Sequence, residues 1–115
     1  MFDSDSVLDK TIEIVLLHEE DFMLRLELNH AKGTYVAVDE YSIPVAIWSN
    51  GKVLFWLYDV VRVKPDQNGF ICDGITHEGI GTIVRIRRDE AEQFFGVLTT
   101  DREFGYVEAS KIEKI

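Results

Sequence analysis

The hydrophobic positions of this chain recur mostly at every second residue, which is the period of a β-strand with one buried face. The clearest run is Gly79 to Ile86, where alternate residues from Thr82 onward share a face after a glycine-rich entry. Phe22 to Leu28 alternates in the same way, and Thr11 to Leu17 is rich in the β-branched residues typical of strands. These patterns predict an all-β chain with at most short helical turns.

The first 28 residues allow a second interpretation. Leucine and glutamate are good helix formers, so a continuous helix from Val7 to Leu28 competes with two strands joined by a polar loop at His18 to Asp21. Residues up to about Asp9 are expected to form a loose arm, or to begin a short helix with Ser6 as its N-cap. The pattern alone leaves both arrangements open.

The strongest local signal is a hairpin in the middle of the chain. Ile43 to Trp48 and Lys52 to Tyr58 are apolar runs on either side of Asn50-Gly51, a pair that readily takes the positive φ values of a tight primed turn. Pro44 predicts that its strand lies at an edge or begins there. Both runs are apolar on both faces, so the hairpin is either covered on two sides or exposes an aromatic patch.

The last third of the chain predicts a second set of strands. A polar loop, Thr99 to Glu103, separates the apolar run Phe95 to Leu98 from Phe104 to Val107 and is suited to closing an antiparallel hairpin. Ala109 to Ile112 is long enough for one helical or 3₁₀ turn, after which Glu113 to Ile115 adds a last short strand at the edge. This order predicts a small, strongly bent barrel.

The runs YDVVRVKPD, GIGTIVRI, FGVLT and FGYVEASKIEKI resemble the SH3-like barrels of small uncharacterised bacterial proteins. The resemblance covers about residues 57–115 and implies an SH3-like barrel whose first strand is Tyr58 to Lys64. Residues 1–56 would then be antiparallel strands and hairpins that extend or cover the barrel within a single domain, residues 1–115. Such barrels serve many unrelated functions, so the resemblance implies a fold and no role.

Peptide-binding SH3 domains carry a proline and a tyrosine in the segment that matches Gly105 to Ile112. The best-matching positions here are Glu108 and Lys111. Recognition of proline-rich peptides is therefore not expected. Gly81 and Gly105 are predicted to be hinges of the barrel, because glycine supplies either a positive φ or room for a crossing backbone.

Length and composition indicate a globular protein of ordinary size. At 115 residues, of which 46% are hydrophobic and 29% charged, the chain fits one domain and is not typical of a disordered segment. No apolar run approaches the length of a membrane span, and Met1 to Ser6 lacks the order of a secretory signal. A single cysteine, Cys72, cannot form an internal disulfide. We therefore expect a bacterial cytoplasmic protein.

Charge is unevenly distributed along the chain. The net charge is -9, and residues 1–56 carry ten acidic and four basic side chains, a net -6. This field favours solubility, and it also favours a basic partner over nucleic acid. The basic cluster Arg85, Arg87 and Arg88 is followed directly by acidic residues that offset it. The expected partner is another protein, and a protein with a basic surface is one option. Nucleic acid and membranes are not expected as partners.

Residue types that carry chemistry are sparse. One cysteine and three histidines are scattered among different predicted loops, so we expect no metal and no cofactor. Cys72 and His77 are the only conceivable thiol and base, and no third group is in place to orient them. Adjacent acids at Glu19 to Asp21 are typical of a solvated loop. The sequence predicts no catalytic residue and no enzyme.

Aromatic side chains are the best candidates for a binding site, because two or three exposed together form a patch of the kind that dominates protein interfaces. The predicted function is a non-catalytic protein-interaction module. The alternative is an acidic inhibitor, such as an immunity, antitoxin or counter-defence protein, that occupies a basic site on its partner. The predicted binding residues are Trp56, Tyr58, Phe94, Phe95, Phe104 and Tyr106.

Overall fold

The computed structural model describes residues 24–88 and 91–115, and its regular elements are almost all strands. The strands are β1 (Arg25–Leu28), β2 (Tyr35–Val38), β3 (Pro44–Ser49), β4 (Lys52–Trp56), β5 (Val60–Val63), β6 (Gly79–Ile86), β7 (Phe94–Thr99), β8 (Phe104–Glu108) and β9 (Ile112–Lys114). A 3₁₀ turn, Ala109–Lys111, precedes β9. The all-β prediction is confirmed. None of the described residues belongs to a helix long and apolar enough to cross a membrane.

Several predictions fall outside the described residues. They are the strand Thr11 to Leu17, the loop His18 to Asp21, the arm up to Asp9 and the greater part of the alternative helix from Val7. The strand predicted from Phe22 is described from residue 24 onward and has regular pairing over Arg25–Leu28.

The first sheet is an antiparallel meander in the order β1-β2-β3-β4. The predicted hairpin between β3 and β4 is confirmed, since Asn50 and Gly51 have φ values of 51° and 85°, as a primed turn requires. Pro44 is the first residue of β3, where the missing N–H of proline disrupts the hydrogen bonding between strands least.

The second sheet is antiparallel in the order β8-β7-β6-β5-β9, so that β9 pairs with β5 and places Ile112 opposite Val63. The predicted 3₁₀ turn and the short last strand at the edge are confirmed. The SH3-like resemblance stays a prediction.

The first strand of this second sheet is shorter than the predicted Tyr58 to Lys64. Residues ahead of Val60 form a turn, in which Asp59 donates its N–H to the Trp56 carbonyl over 3.1 Å and accepts the Trp56 N–H at its carboxylate over 2.8 Å. Tyr58 lies in the left-handed region with φ 73°. A strand cannot begin there, because strand residues need negative φ.

The largest buried cluster draws on both sheets. A second cluster lies on the other face of the first sheet, so the β3–β4 hairpin contributes buried side chains on both faces. The first cluster comprises Val36, Val38, Ile47, Val61, Val63, Ile71, Ile75, Ile83, Ile86, Phe95, Val97, Val107 and Ile112, and the second Leu24, Leu26, Ala37, Ala46 and Trp48.

Gly81 and Gly105 lie where other parts of the chain approach closely. A Cβ on Gly81 would lie 2.6 Å from Val97 Cγ1, and one on Gly105 would lie 2.5 Å from the Asp73 carbonyl oxygen. Neither glycine has a positive φ. Of the two expected reasons for glycine, room for a crossing backbone is therefore the correct one at Gly105.

Candidate functional site

The alternation of side chains along β7 and β8 decides which aromatic residues face outward. The pairs Phe94 with Glu108, Gly96 with Tyr106 and Leu98 with Phe104 lie on the outer face of the second sheet. Phe104 and Tyr106 contact each other edge to face, with ring centroids 5.4 Å apart. Three of the predicted binding residues, Phe94, Phe104 and Tyr106, are thus brought together.

Phe95 is not part of an exposed patch, contrary to the prediction. It is fully buried and contacts Phe55 with ring centroids 4.9 Å apart. The reason is the strand period, which turns Phe95 inward when Phe94 turns outward. Trp56 does not lie on the outer face of the second sheet either, because it belongs to the first sheet and is half-buried against the second core cluster.

Phe94 and Tyr106 form one side of a groove of about 430 Å³ that we call the aromatic groove. The opposite side is the segment from Phe70 to Asp73, in the long loop between β5 and β6. Phe70 is 51% exposed, so much of its ring is open to a ligand. Among the described residues, the lining is Phe70, Ile71, Cys72, Asp73, Phe94, Tyr106, Glu108 and Lys111.

The position of Phe70 is fixed by a five-residue loop that begins at Asp66. The Asp66 carboxylate accepts the Asn68 N–H over 2.8 Å and the Phe70 N–H over 3.1 Å. Asp66 also donates its own N–H to the Phe70 carbonyl, and Gly69, with φ 81°, donates to the Asp66 carbonyl. The two N–H bonds to the carboxylate, led by the one from Phe70, hold the pKa of the Asp66 carboxyl below its usual value.

Lys111 ties this loop to the 3₁₀ turn. Its side chain is only 10% exposed, and its Nζ donates to the Ile71 carbonyl over 2.8 Å. The same Nζ lies 3.5 Å from an Asp66 carboxylate oxygen, 3.6 Å from one of Glu108 and 4.9 Å from the centre of the Phe70 ring. One cation therefore contacts both sides of the aromatic groove.

The far end of the loop is held by Glu103. Its carboxylate accepts the Thr76 hydroxyl over 2.7 Å, the Thr76 N–H over 3.0 Å and the His77 N–H over 3.3 Å. The hydrogen bond from the Thr76 side chain is the main reason why the pKa of the Glu103 carboxyl lies below its usual value. Between these anchors the loop crosses β8 at Gly105, so that its backbone lies directly on the sheet.

On the outer face of the second sheet, β7 carries Gly96 opposite Tyr106. A Cβ on Gly96 would lie 3.2 Å from both the Phe104 and the Tyr106 ring, so glycine leaves room for both. The Arg87 guanidinium lies 4.9 Å from the centre of the Tyr106 ring, and Arg85 donates to the Tyr106 hydroxyl over 3.3 Å. Tyr106 is thus fixed at its face and at its hydroxyl.

Tyr58 lies in a second groove, of about 410 Å³, that we call the Tyr58 groove. Its lining is Ile43, Pro44, Leu57, Tyr58, Val84, Arg85 and Ile86, contributed by both sheets. Tyr58 is 68% exposed, and its N–H donates to the Ile83 carbonyl over 2.7 Å. The backbone is therefore held while the ring stays accessible.

The structure also shows the surroundings of the residues considered for chemistry. Burial raises the pKa of the Cys72 thiol, which disfavours the thiolate that nucleophilic attack needs. Across residues 24–88 and 91–115, no group of three His, Cys, Asp or Glu side chains could hold a metal ion. The arginine cluster is divided, because Arg88 forms an ion pair of 2.5 Å with Glu27 while Arg85 and Arg87 contact Tyr106.

No protein-family model, curated protein or solved structure matches this chain. Two residues central to the aromatic groove, Phe70 and Lys111, were not among the predicted binding residues. Phe70 had a signal in the sequence, since Asp66 to Phe70 carries an aspartate, a glycine at the fourth position and then a large apolar residue. Lys111 had none, because two of its partners, Asp66 and the Ile71 carbonyl, are distant in sequence.

Proposed function

We propose that this chain is a non-catalytic, cytoplasmic protein-interaction module that binds an exposed segment of another protein in the aromatic groove. The observation that carries the proposal is the position of Phe70, half-exposed across the groove from the half-buried Phe94 and Tyr106. Aromatic side chains at the wall of a concave site supply a large apolar contact area with few rotamers to restrict. Such residues dominate the energetics of protein interfaces.

The loop and the sheet favour binding because they are already ordered. Asp66, Lys111 and Glu103 hold the loop at its start, middle and end through hydrogen bonds of 2.7 to 3.3 Å. A ligand therefore does not have to order the groove, and the entropic cost of ordering side chains and loops on binding is reduced.

The charges at the groove indicate the chemistry of the segment it binds. Of the described residues that line the groove, three are charged, and the only cation among these, Lys111, is almost buried and already pairs with Asp66 and Glu108. Asp73 is exposed and Glu108 is half-exposed. An apolar or aromatic side chain with a lysine or arginine beside it complements this lining.

The test uses random twelve-residue peptides displayed on phage and selected on the full chain. Enriched peptides are synthesised, and their affinities are measured by fluorescence anisotropy for the unmodified chain and two variants. Phe70→Ser removes the exposed ring, and Leu28→Ser is the matched control, because Leu28 is exposed on β1 and lines neither groove. Thermal unfolding of both variants verifies that the fold is intact.

We expect Phe70→Ser to weaken binding about tenfold or more, as loss of an aromatic contact at the centre of an interface does. Leu28→Ser should leave the affinity within about twofold, as peripheral substitutions do. Equal affinities of the two variants, or a selection from which no peptide is enriched, would refute binding in the aromatic groove.

The acidic-inhibitor function is the second candidate, and the distribution of charge is what favours it. Residues 1–23 contain seven acidic side chains and one basic side chain, whereas residues 24–56 contain three of each. The whole excess of -6 in residues 1–56 therefore lies outside the described residues.

Removing residues 1–23 should weaken the binding of a basic partner and reduce the dependence of its affinity on salt. Affinity that does not change with salt would exclude this function.

A further inference from the structure

The Tyr58 groove is built like the aromatic groove. Its wall includes Ile43, the last residue of a five-residue loop that begins at Asp39. The Asp39 carboxylate accepts the Tyr41 and Ile43 N–H groups, each over 2.9 Å, and Asp39 donates its own N–H to the Ile43 carbonyl. The same bonds link Asp66 to Phe70. In both loops the fifth residue is a large apolar side chain about half exposed, 50% for Ile43 and 51% for Phe70.

The two grooves differ in the sign of their charge. Of the described residues that line the Tyr58 groove, Arg85 is the only charged one, and it is exposed. Within the part of the chain that the structure describes, no carboxylate forms an ion pair with Arg85, and its hydrogen-bond partner is the neutral Tyr106 hydroxyl. A guanidinium at the mouth of an apolar groove complements a carboxylate.

The two grooves are neighbours. Arg85 lines the Tyr58 groove, Tyr106 lines the aromatic groove, and the two side chains are joined by a hydrogen bond of 3.3 Å. A ligand that covers Tyr106 therefore reaches Arg85 directly, and its next residues reach the Tyr58 groove. An extended segment, which advances about 3.3 Å per residue, needs only a few residues to do so.

We propose that the Tyr58 groove is a second binding site for the same partner segment. The segment carries an aspartate or glutamate that pairs with Arg85, and an aliphatic side chain next to it that occupies the groove between Ile43 and Tyr58. This proposal rests on the proposed function, because the aromatic groove holds the other part of the segment. The segment therefore combines a basic residue at one groove with an acidic residue at the other.

The test repeats the peptide selection with two charge-reversal variants. Arg85→Glu reverses the sign at the Tyr58 groove, and Arg62→Glu is its matched control, an exposed arginine on β5 that lines neither groove. Both variants change the net charge equally, so long-range repulsion is the same in both. Peptides are joined to the phage protein through their carboxyl ends, so that no free terminal carboxylate can stand in for an acidic side chain.

We expect the unmodified chain and Arg62→Glu to enrich peptides with Asp or Glu beside Leu, Ile or Val, and Arg85→Glu to enrich Lys or Arg at that position. For one enriched peptide with aspartate, Arg85→Gln should weaken binding about fivefold, the effect of a partly exposed ion pair. When the aspartate of that peptide is replaced by asparagine, the affinities of the unmodified chain and of Arg85→Gln for it should differ by no more than about twofold.

Enrichment that is the same for all three chains, or that changes equally in both charge-reversal variants, would overturn the second site. Peptides that require Phe70 but bind Arg85→Gln normally would overturn only the second site and leave the proposed function intact. A selection that enriches nothing on the unmodified chain would overturn both.

Discussion

The loops Asp39 to Ile43 and Asp66 to Phe70 have the same main-chain hydrogen bonds but different support. In each, an aspartate accepts two N–H groups, and the fourth residue lies in the left-handed region, Ser42 with φ 64° and Gly69 with φ 81°. The second loop is also bound by the almost buried Lys111. Among the described residues, no lysine forms a hydrogen bond or an ion pair with the first loop, and Arg25 donates to its Ser42 hydroxyl over 3.4 Å.

Local sequence therefore builds the loop, whereas distant residues determine how firmly it forms the wall of a site. An aspartate three residues before a left-handed position is sufficient for the turn. Rigidity comes from Lys111 and from the contact with β8 at Gly105, both far along the chain. We therefore expect the aromatic groove to be the more rigid of the two, and its rigidity to be lost by substitutions outside the loop.

The largest effect is expected at Gly105, where the loop of the aromatic groove crosses β8. Gly105→Ala should lower the free energy of unfolding by about 3 kcal/mol, the upper end for overpacking, because a Cβ there meets a carbonyl oxygen and a sulfur atom at 2.5 and 2.6 Å. Chemical denaturation measures this change in the free energy of unfolding. Gly79→Ala in β6 is the control, since no atom lies within 4 Å of its Cβ position and its φ is not positive. Equal stability of the two variants would show that the crossing tolerates a side chain.

Lys111→Met should have the next largest effect. It keeps an unbranched side chain but leaves the Ile71 carbonyl without its donor, a loss of about 1 to 2 kcal/mol in the free energy of unfolding. Peptide affinity at the aromatic groove should fall with it. Lys114→Met, which removes an exposed lysine 3.5 Å from Asp59, is the control and should change stability by less than about 1 kcal/mol. If Lys111→Met left the free energy of unfolding unchanged, the loop would need no support from outside.

Exchanging the fourth residues of the two loops tests their likeness directly. Gly69→Ser should lower stability by about 1 kcal/mol, because a side chain is disfavoured at positive φ even though no atom lies within 4 Å of its Cβ position. Ser42→Gly should raise stability by about 0.5 kcal/mol, since relief at φ 64° is partly offset by the greater freedom of glycine in the unfolded chain. Effects of the same sign in both loops would contradict their equivalence.

The smallest effect is expected in the acid dependence of stability. The pKa of the Asp66 carboxyl in the folded chain lies below its ordinary value of 3.8, so protons bind preferentially to the unfolded chain. The stabilisation from this carboxylate is complete above about pH 4 and is lost as the pH falls through the folded-state pKa. As the pH falls below about 4, the stability of Asp66→Asn should therefore decrease less steeply than that of the unmodified chain, as measured by thermal unfolding at a series of pH values. Identical slopes would show that Asp66 is not coupled to folding.

Alternation and turn residues were sufficient for most of the described fold. They predicted the β3–β4 hairpin, the long strand β6, and the 3₁₀ turn and short strand at the end of the described chain. They failed at Tyr58, where the Asp59 side chain forms a turn that an apolar run does not reveal. The site was less predictable, because the exposure of a side chain depends on which face of its strand is covered. Phe94 and Phe95 are neighbours of the same residue type, and they differ only in the face of β7 on which they lie. Lys111 could not be found, since its partners come together only in the folded chain.

The pairing of β9 with β5 has a consequence for how fast the chain folds. Arg62 lies opposite Glu113, so this pair closes a loop of about fifty residues, whereas every pair in the first sheet joins consecutive strands. Non-local pairing is the slow step in folding of β-proteins. Trp48 and Trp56 both lie in the first sheet, so their fluorescence reports on the meander alone. Refolding followed by tryptophan fluorescence should accordingly be faster than refolding followed by amide protection in β5 and β9.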